Sequence, residues 1–200
     1  IKCDGNLVMN GTTLLVKSTG AAGKGINCDG TLSIDNSTVK IITTGKQYVY
    51  NRLDSSAKGI KADGNLTINS GTIWVKTPGG EGSEGIESKS TLTVNGGTTS
   101  PEEGFDCDQN TFKITGGTIL GIGGGTSTPT SSVCTQRTVI YGGSGSKGTL
   151  LSIQGSDQVM SYTIPRAYSQ MTLLFSSSKL ASGTTYTIYT GGSVTGGTEF

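Results

Sequence analysis

The chain has 200 residues, and Gly (33), Thr (31) and Ser (24) make up 44% of it, against 32% hydrophobic and 14% charged residues. Sparse charge excludes a coiled coil or a charge-driven disordered tail, the lack of a long apolar run excludes a helical membrane span, and scarce Ala and Glu argue against helix. A formal net charge of +1 gives no global field for nucleic acid or an anionic membrane, and the absence of His removes the commonest general base and imidazole-built zinc sites.

From its first residue the chain repeats. Ile1-Lys-Cys-Asp-Gly-Asn-Leu7 recurs as Ile26–Leu32 and Ile60–Leu66, with weaker copies at Ile86–Leu92 and Phe105–Thr111. The anchors step by 25, 34, 26 and 19 residues, and a Gly precedes the last four (Gly25, Gly59, Gly85, Gly104). Each copy has the period-2 apolar pattern of a strand. In the third, Ile60 and Ala62, then Leu66 and Ile68, then Ile73 and Val75 point inward, separated by turns at Asp63-Gly64 and Asn69-Ser70-Gly71. Three short strands per copy predict one coil of a right-handed parallel β-helix, whose apolar stripe is buried only when coils stack. The uneven steps place insertions at one corner, over Ser18–Lys24, Thr44–Lys58 and Thr77–Glu84.

Beyond about Gly125 the repeat fades. Strands are predicted over Val133–Tyr141, Thr149–Ile153, Ser161–Ile164, Met171–Phe175 and Thr184–Tyr189. They read as atypical last coils and a C-terminal β cap, because an open solenoid end pairs with other chains. The expected organisation is all-β, with repeat coils over 1–125 and the cap over 126–200, in one continuous domain. The start at Ile1, without Met or signal segment, reads as a mature or trimmed fragment. No Cys lies in a Cys-x-x-Cys pair. Cys3 and Cys28 fall on adjacent rungs, where a disulfide is conceivable, but buried free thiols are favoured.

The run Gly59-Ile-Lys-Ala-Asp-Gly-Asn-Leu-Thr-Ile-Asn-Ser-Gly-Thr-Ile-Trp-Val75 resembles the coil motif of the carbohydrate-binding domain-containing proteins, a family of secreted bacterial parallel β-helix proteins. Leu180–Gly192 also resembles that family's C-terminal segment. The resemblance implies an extracellular, calcium-binding β-helix shaped like a pectate lyase, with members that bind cellulose and acidic pectic polymers. The chain departs from the motif in its fourth copy, where Lys89 and Ser90 replace Asp and Gly.

Alignment of coils converts into proximity. Asp4, Asp29, Asp63 and Asp108 form one column, interrupted by Lys89. Each Asp caps its own turn, or the column helps to hold cations. A second column turns acidic along the stack, so that Glu84, Glu87, Glu103 and Asp106 are expected to cluster, with Glu81 and Glu102 nearby. Hard carboxylate oxygens suit Ca²⁺. The metal-site expectation is therefore Glu84, Glu87, Glu103, Asp106, Asp63 and Asp108, and the alternative is a solvated acidic edge. Lys58 and Lys61, with Lys24, Lys2 and Lys46, are placed to meet the carboxylates of an acidic sugar polymer, or are ordinary surface lysines. Trp74, the only Trp, points outward by parity beside Leu15, Lys40, Ser100 and Leu120, as a sugar-stacking platform or beneath a covering loop. Tyr48 and Tyr50 lie in the longest insertion and extend that surface or pin the loop.

The expected function is non-catalytic binding of polysaccharide by a calcium-stabilised monomer, secreted or at the cell surface, with no nucleic-acid or membrane partner. One alternative is a calcium-dependent polysaccharide lyase using Lys61 or Lys89 as base. A second is a structural or adhesive surface module.

Overall fold

The computed structural model describes residues 1–196. Among these residues the chain forms strands and no helix. The first coil is β1 (Lys2–Cys3), β2 (Leu7–Asn10) and β3 (Thr13–Ser18). The second is β4 (Lys24–Cys28), β5 (Leu32–Asp35) and β6 (Ser37–Thr43). A hairpin follows, β7 (Tyr48–Tyr50) with β8 (Leu53–Ser55). The third coil is β9 (Lys58–Ala62), β10 (Leu66–Ile68) and β11 (Gly71–Lys76), and the fourth is β12 (Glu84–Ser88), β13 (Leu92–Val94) and β14 (Thr98–Pro101). The fifth is β15 (Phe105–Asp106), β16 (Phe112–Ile114) and β17 (Thr118–Gly123). The C-terminal unit holds β18 (Thr138–Gly145), β19 (Leu150–Gln154), β20 (Gln158–Thr163), β21 (Tyr168–Ser176) and β22 (Thr187–Thr190).

Each coil contributes one strand to each of three stacked sheets, ordered β1-β4-β9-β12-β15, β2-β5-β10-β13-β16 and β3-β6-β11-β14-β17. Pairing within these runs is parallel and follows the sequence repeat: Leu66 faces Leu32 and Leu92, and Ile73 faces Val39 and Thr99. Inward residues form one core that includes Ile26, Leu32, Ile34, Ile60, Leu66, Ile68, Ile86, Leu92, Phe105 and Phe112. Full burial of each such side chain contributes about 1.5–3 kcal/mol, which offsets the ordering of many short turns.

Two glycine columns shape the coil. Gly71, Gly97 and Gly117 have positive φ, and a Cβ on any of them meets the backbone of the coil below. Gly25, Gly59 and Gly85 leave room for inward Ile41, Val75 and Pro101. All four cysteines are free, with Cys3 opposite Cys28 in register, and burial pushes the Cys28 thiol up.

The C-terminal end departs from the predicted pattern. Val133–Arg137 is not strand, and β18 starts at Thr138. Pro129 lacks an N–H and the flanking Ser and Thr favour turns. The segment instead lies over the fifth coil as an irregular rung: the amides of Ser127, Thr130 and Thr135 donate to the carbonyls of Phe105, Phe112 and Ile114 at 2.7, 2.8 and 3.1 Å. The third sheet then turns antiparallel, with β21 between β17 and β18. A second core forms where outward Leu120 and Ile122 of β17 meet Leu151, Ile153, Met160, Leu173 and Phe175.

Candidate functional site

The outer face of the first sheet carries most of the predicted site residues. Its register sets Lys2, Asn27, Lys61, Glu87 and Asp106 in one column, with Lys24, Lys58 and Glu84 in the next. Both columns run from lysines in the early coils to carboxylates in the later ones. Lys58 contacts Glu84 and lies 2.8 Å from Glu87. Lys89 lies 2.8 Å from Glu87 and 2.9 Å from Asp108. Lys61 contacts Asp63, and Lys2 contacts both Asp29 and Asp4. The Glu87 side chain is only 1% exposed, and neither of its oxygens has a well-aligned hydrogen bond, so its contacts are ionic. Close contact with the carboxylates of Glu87 and then Asp108 raises the Lys89 ammonium above its ordinary pKa.

Glu87, Asp106 and Asp108 bring carboxylate oxygens within 4.8 Å of one another, so part of the expected acidic cluster exists. Asp106 Oδ1 accepts from the Ser127 hydroxyl and the Asp108 amide, both at 3.2 Å. The Lys89 ammonium stands between Glu87 and Asp108, where a bridging divalent cation would sit. The set as folded therefore does not fit calcium at that point. Asp63 lies outside the group, held by Lys61.

Glu84, Glu103 and Asp106 line a cleft of about 420 Å³ between Gly80–Ser83 and Gly124–Ser127, with Phe105 at its base. Glu103 does not face the lysine ladder. It lies 3.3 Å from Arg166, accepts from the Tyr168 hydroxyl at 3.3 Å, and accepts from the Gly124 amide at 3.5 Å. Burial pushes its carboxyl up, against the pull of Arg166. Arg166 also holds Glu102 at 2.5 Å and donates to the Thr77 carbonyl. The cleft thus offers carboxylates and the hydroxyls of Ser83, Thr126 and Ser127, groups that hydrogen-bond to a polyhydroxylated ligand.

The hairpin β7–β8 leaves the same corner. Its turn residues Asn51 and Arg52 have φ of 47° and 67°, the left-handed pair that closes a two-residue hairpin. Tyr48 pairs with Ser55 and Tyr50 with Leu53, which sets both rings and Leu53 on one face. Tyr48 is 45% exposed and Tyr50 60%. Trp74 is half-buried in β11, between Lys40 and Ser100 in register, and the Lys40 ammonium lies 4.9 Å from the centre of its ring. The indole face nearest Lys40 is therefore occupied by a cation–π contact. Trp74 and the tyrosine hairpin belong to different sheets.

Two further groups, Lys24 and Arg166, shape the site. Lys24 donates to the Ser55 hydroxyl at 3.0 Å and to the Ala22 carbonyl at 3.3 Å, with no ion pair among the described residues. Burial, then Lys58 and Lys61, lower its pKa. Its place before the motif Gly already marked it in the column with Lys58. Arg166 carried no such signal, because its partners lie 64 and 89 residues away.

No curated protein and no solved structure matches the chain. A family model described as Carbohydrate-binding domain-containing protein matches residues 1–108, which span the first four coils and enter the fifth. With more than half of its length matched, the chain belongs to the carbohydrate-binding domain-containing family.

Proposed function

We propose that the chain binds a polysaccharide without cleaving it, through the corner where its insertions emerge. The observation that carries this is the β7–β8 hairpin, which holds two exposed tyrosines on one face. Aromatic faces stack on the apolar faces of sugar rings. The cleft beside Glu84, Glu103 and Asp106 supports the same reading, since its carboxylates and hydroxyls suit sugar hydroxyls. The winding is taken as a right-handed parallel β-helix and the polymer as cellulose or an acidic pectic chain, met outside the cell. Among the lysines, Lys24 is the best placed to meet a uronate, because Lys58 and Lys61 are held by carboxylates.

Retention on insoluble polysaccharides tests this. Tyr48→Ala and Tyr50→Ala are each expected to cost about 1 kcal/mol, roughly fivefold in Kd. A wild-type chain that no polysaccharide retains overturns the proposal.

The lyase reading required a free base at Lys61 or Lys89. Both are tied to carboxylates, and the raised pKa of Lys89 opposes that role. Lys24, with its lowered pKa, is the amine that keeps the reading alive. Absorbance of unsaturated product from polygalacturonate should stay at baseline, and its rise would replace binding by elimination.

A further inference from the structure

The lysines of the first sheet's outer face repeat one arrangement at two separate levels of the stack. Between the first and second coils, Lys2 contacts Asp29 and lies 3.0 Å from Asp4. Between the fourth and fifth, Lys89 lies 2.8 Å from Glu87 and 2.9 Å from Asp108. In each case one ammonium joins carboxylates of adjacent coils. Parallel coils force equivalent residues into columns a rung apart, about 4.8 Å, so stacked carboxylates repel unless a positive charge lies between them.

We infer that Lys2 and Lys89 act as built-in cations that bridge adjacent coils on this face, and that Lys89 occupies the place of a divalent metal between Glu87, Asp106 and Asp108. The sequence exchange supports this, since Lys89 stands in a column otherwise made of Asp4, Asp29, Asp63 and Asp108. Burial supports it too. Glu87 is 1% exposed and receives ammonium groups from two sides, Lys58 and Lys89, so its charge is compensated within the protein. Removal of that ammonium leaves three carboxylates with oxygens within 4.8 Å, a donor set for a hard divalent ion.

The experiment is calcium titration of the whole chain, read by calorimetry and by the thermal midpoint in EDTA and in millimolar CaCl2. The wild type is expected to take up no calcium at this face and to melt at one temperature in both buffers. Lys89→Asn is expected to take up calcium at this face, because one repelling unit charge has gone, and to melt higher with calcium than with EDTA. Lys89→Arg, which keeps the charge, should behave as wild type. Stoichiometric calcium uptake by the wild type with a midpoint that falls in EDTA overturns the inference. Indifference of both wild type and Lys89→Asn to calcium also overturns it, since the carboxylates would then have no use for a cation. If Lys89→Asn fails to fold in EDTA, recovery of its circular dichroism on adding CaCl2 supports the inference and continued unfolding counts against it.

Discussion

Lys24 keeps an ammonium half-buried between two neutral acceptors, beside two further lysines. Its folded-state pKa is below the ordinary 10.5, so the unfolded chain binds the proton more tightly. Stability therefore rises with pH between the depressed value and 10.5, as the buried charge is relieved. Lys24→Met is expected to melt higher than wild type at neutral pH, with the advantage shrinking above 10.5. Scanning calorimetry at both pH values checks this, and an equal gain at both would show that packing rather than charge sets it. At this scale the sequence was informative wherever a residue sits in the gap-free part of a coil. Lys24, Lys58, Glu84, Glu87 and Asp106 fall in the columns that alignment assigns. Glu103 escaped that reasoning because its φ of 64° turns the chain away before β15, and its partner Arg166 comes from another part of the fold.

The β7–β8 hairpin pairs only with itself. Two isolated strands are marginally stable in water, so the hairpin draws its order from its anchors and adds little to the stack. Those anchors include the Lys24–Ser55 contact and a 2.7 Å bond from the Ser56 hydroxyl to the Glu81 carbonyl. Replacement of residues 48–54 by a short Gly-Ser turn is expected to leave the far-ultraviolet spectrum intact and lower the thermal midpoint by only a few degrees, while polysaccharide retention is lost. Retention at the wild-type level would remove the tyrosines from the binding surface. Ile68→Ala makes the opposite case: it empties a fully buried position and is expected to cost about 2–5 kcal/mol by chemical denaturation. The inward strands were legible because Leu-x-Ile alternation has one meaning in a half-buried strand. The tyrosine strands carry no such alternation in burial, so the sequence marked an insertion there and not a hairpin.

The two cores meet through two strands: β17, whose inward Ile119 belongs to the first and whose outward Leu120 and Ile122 belong to the second, and β21, whose Leu174 belongs to the first and whose Leu173 and Phe175 belong to the second. Because β21 extends the same sheet beyond β17, the two cores are expected to unfold together, in a single calorimetric peak with matching calorimetric and van't Hoff enthalpies. Two resolved peaks would show that they unfold separately. The five coils were readable from repetition. The second core was not, because parity assigns Leu120 to an outward, solvent-facing position, and the side chains that bury it come from distant C-terminal strands. The single corner through which the insertions leave has a consequence for descent. Substitution inside a coil must satisfy the neighbours above and below, whereas loop length at that corner alters no stacked position. The edge that meets a ligand is thus free to change at a rate the interior cannot follow, and relatives with identical stacks are expected to differ most in what they recognise.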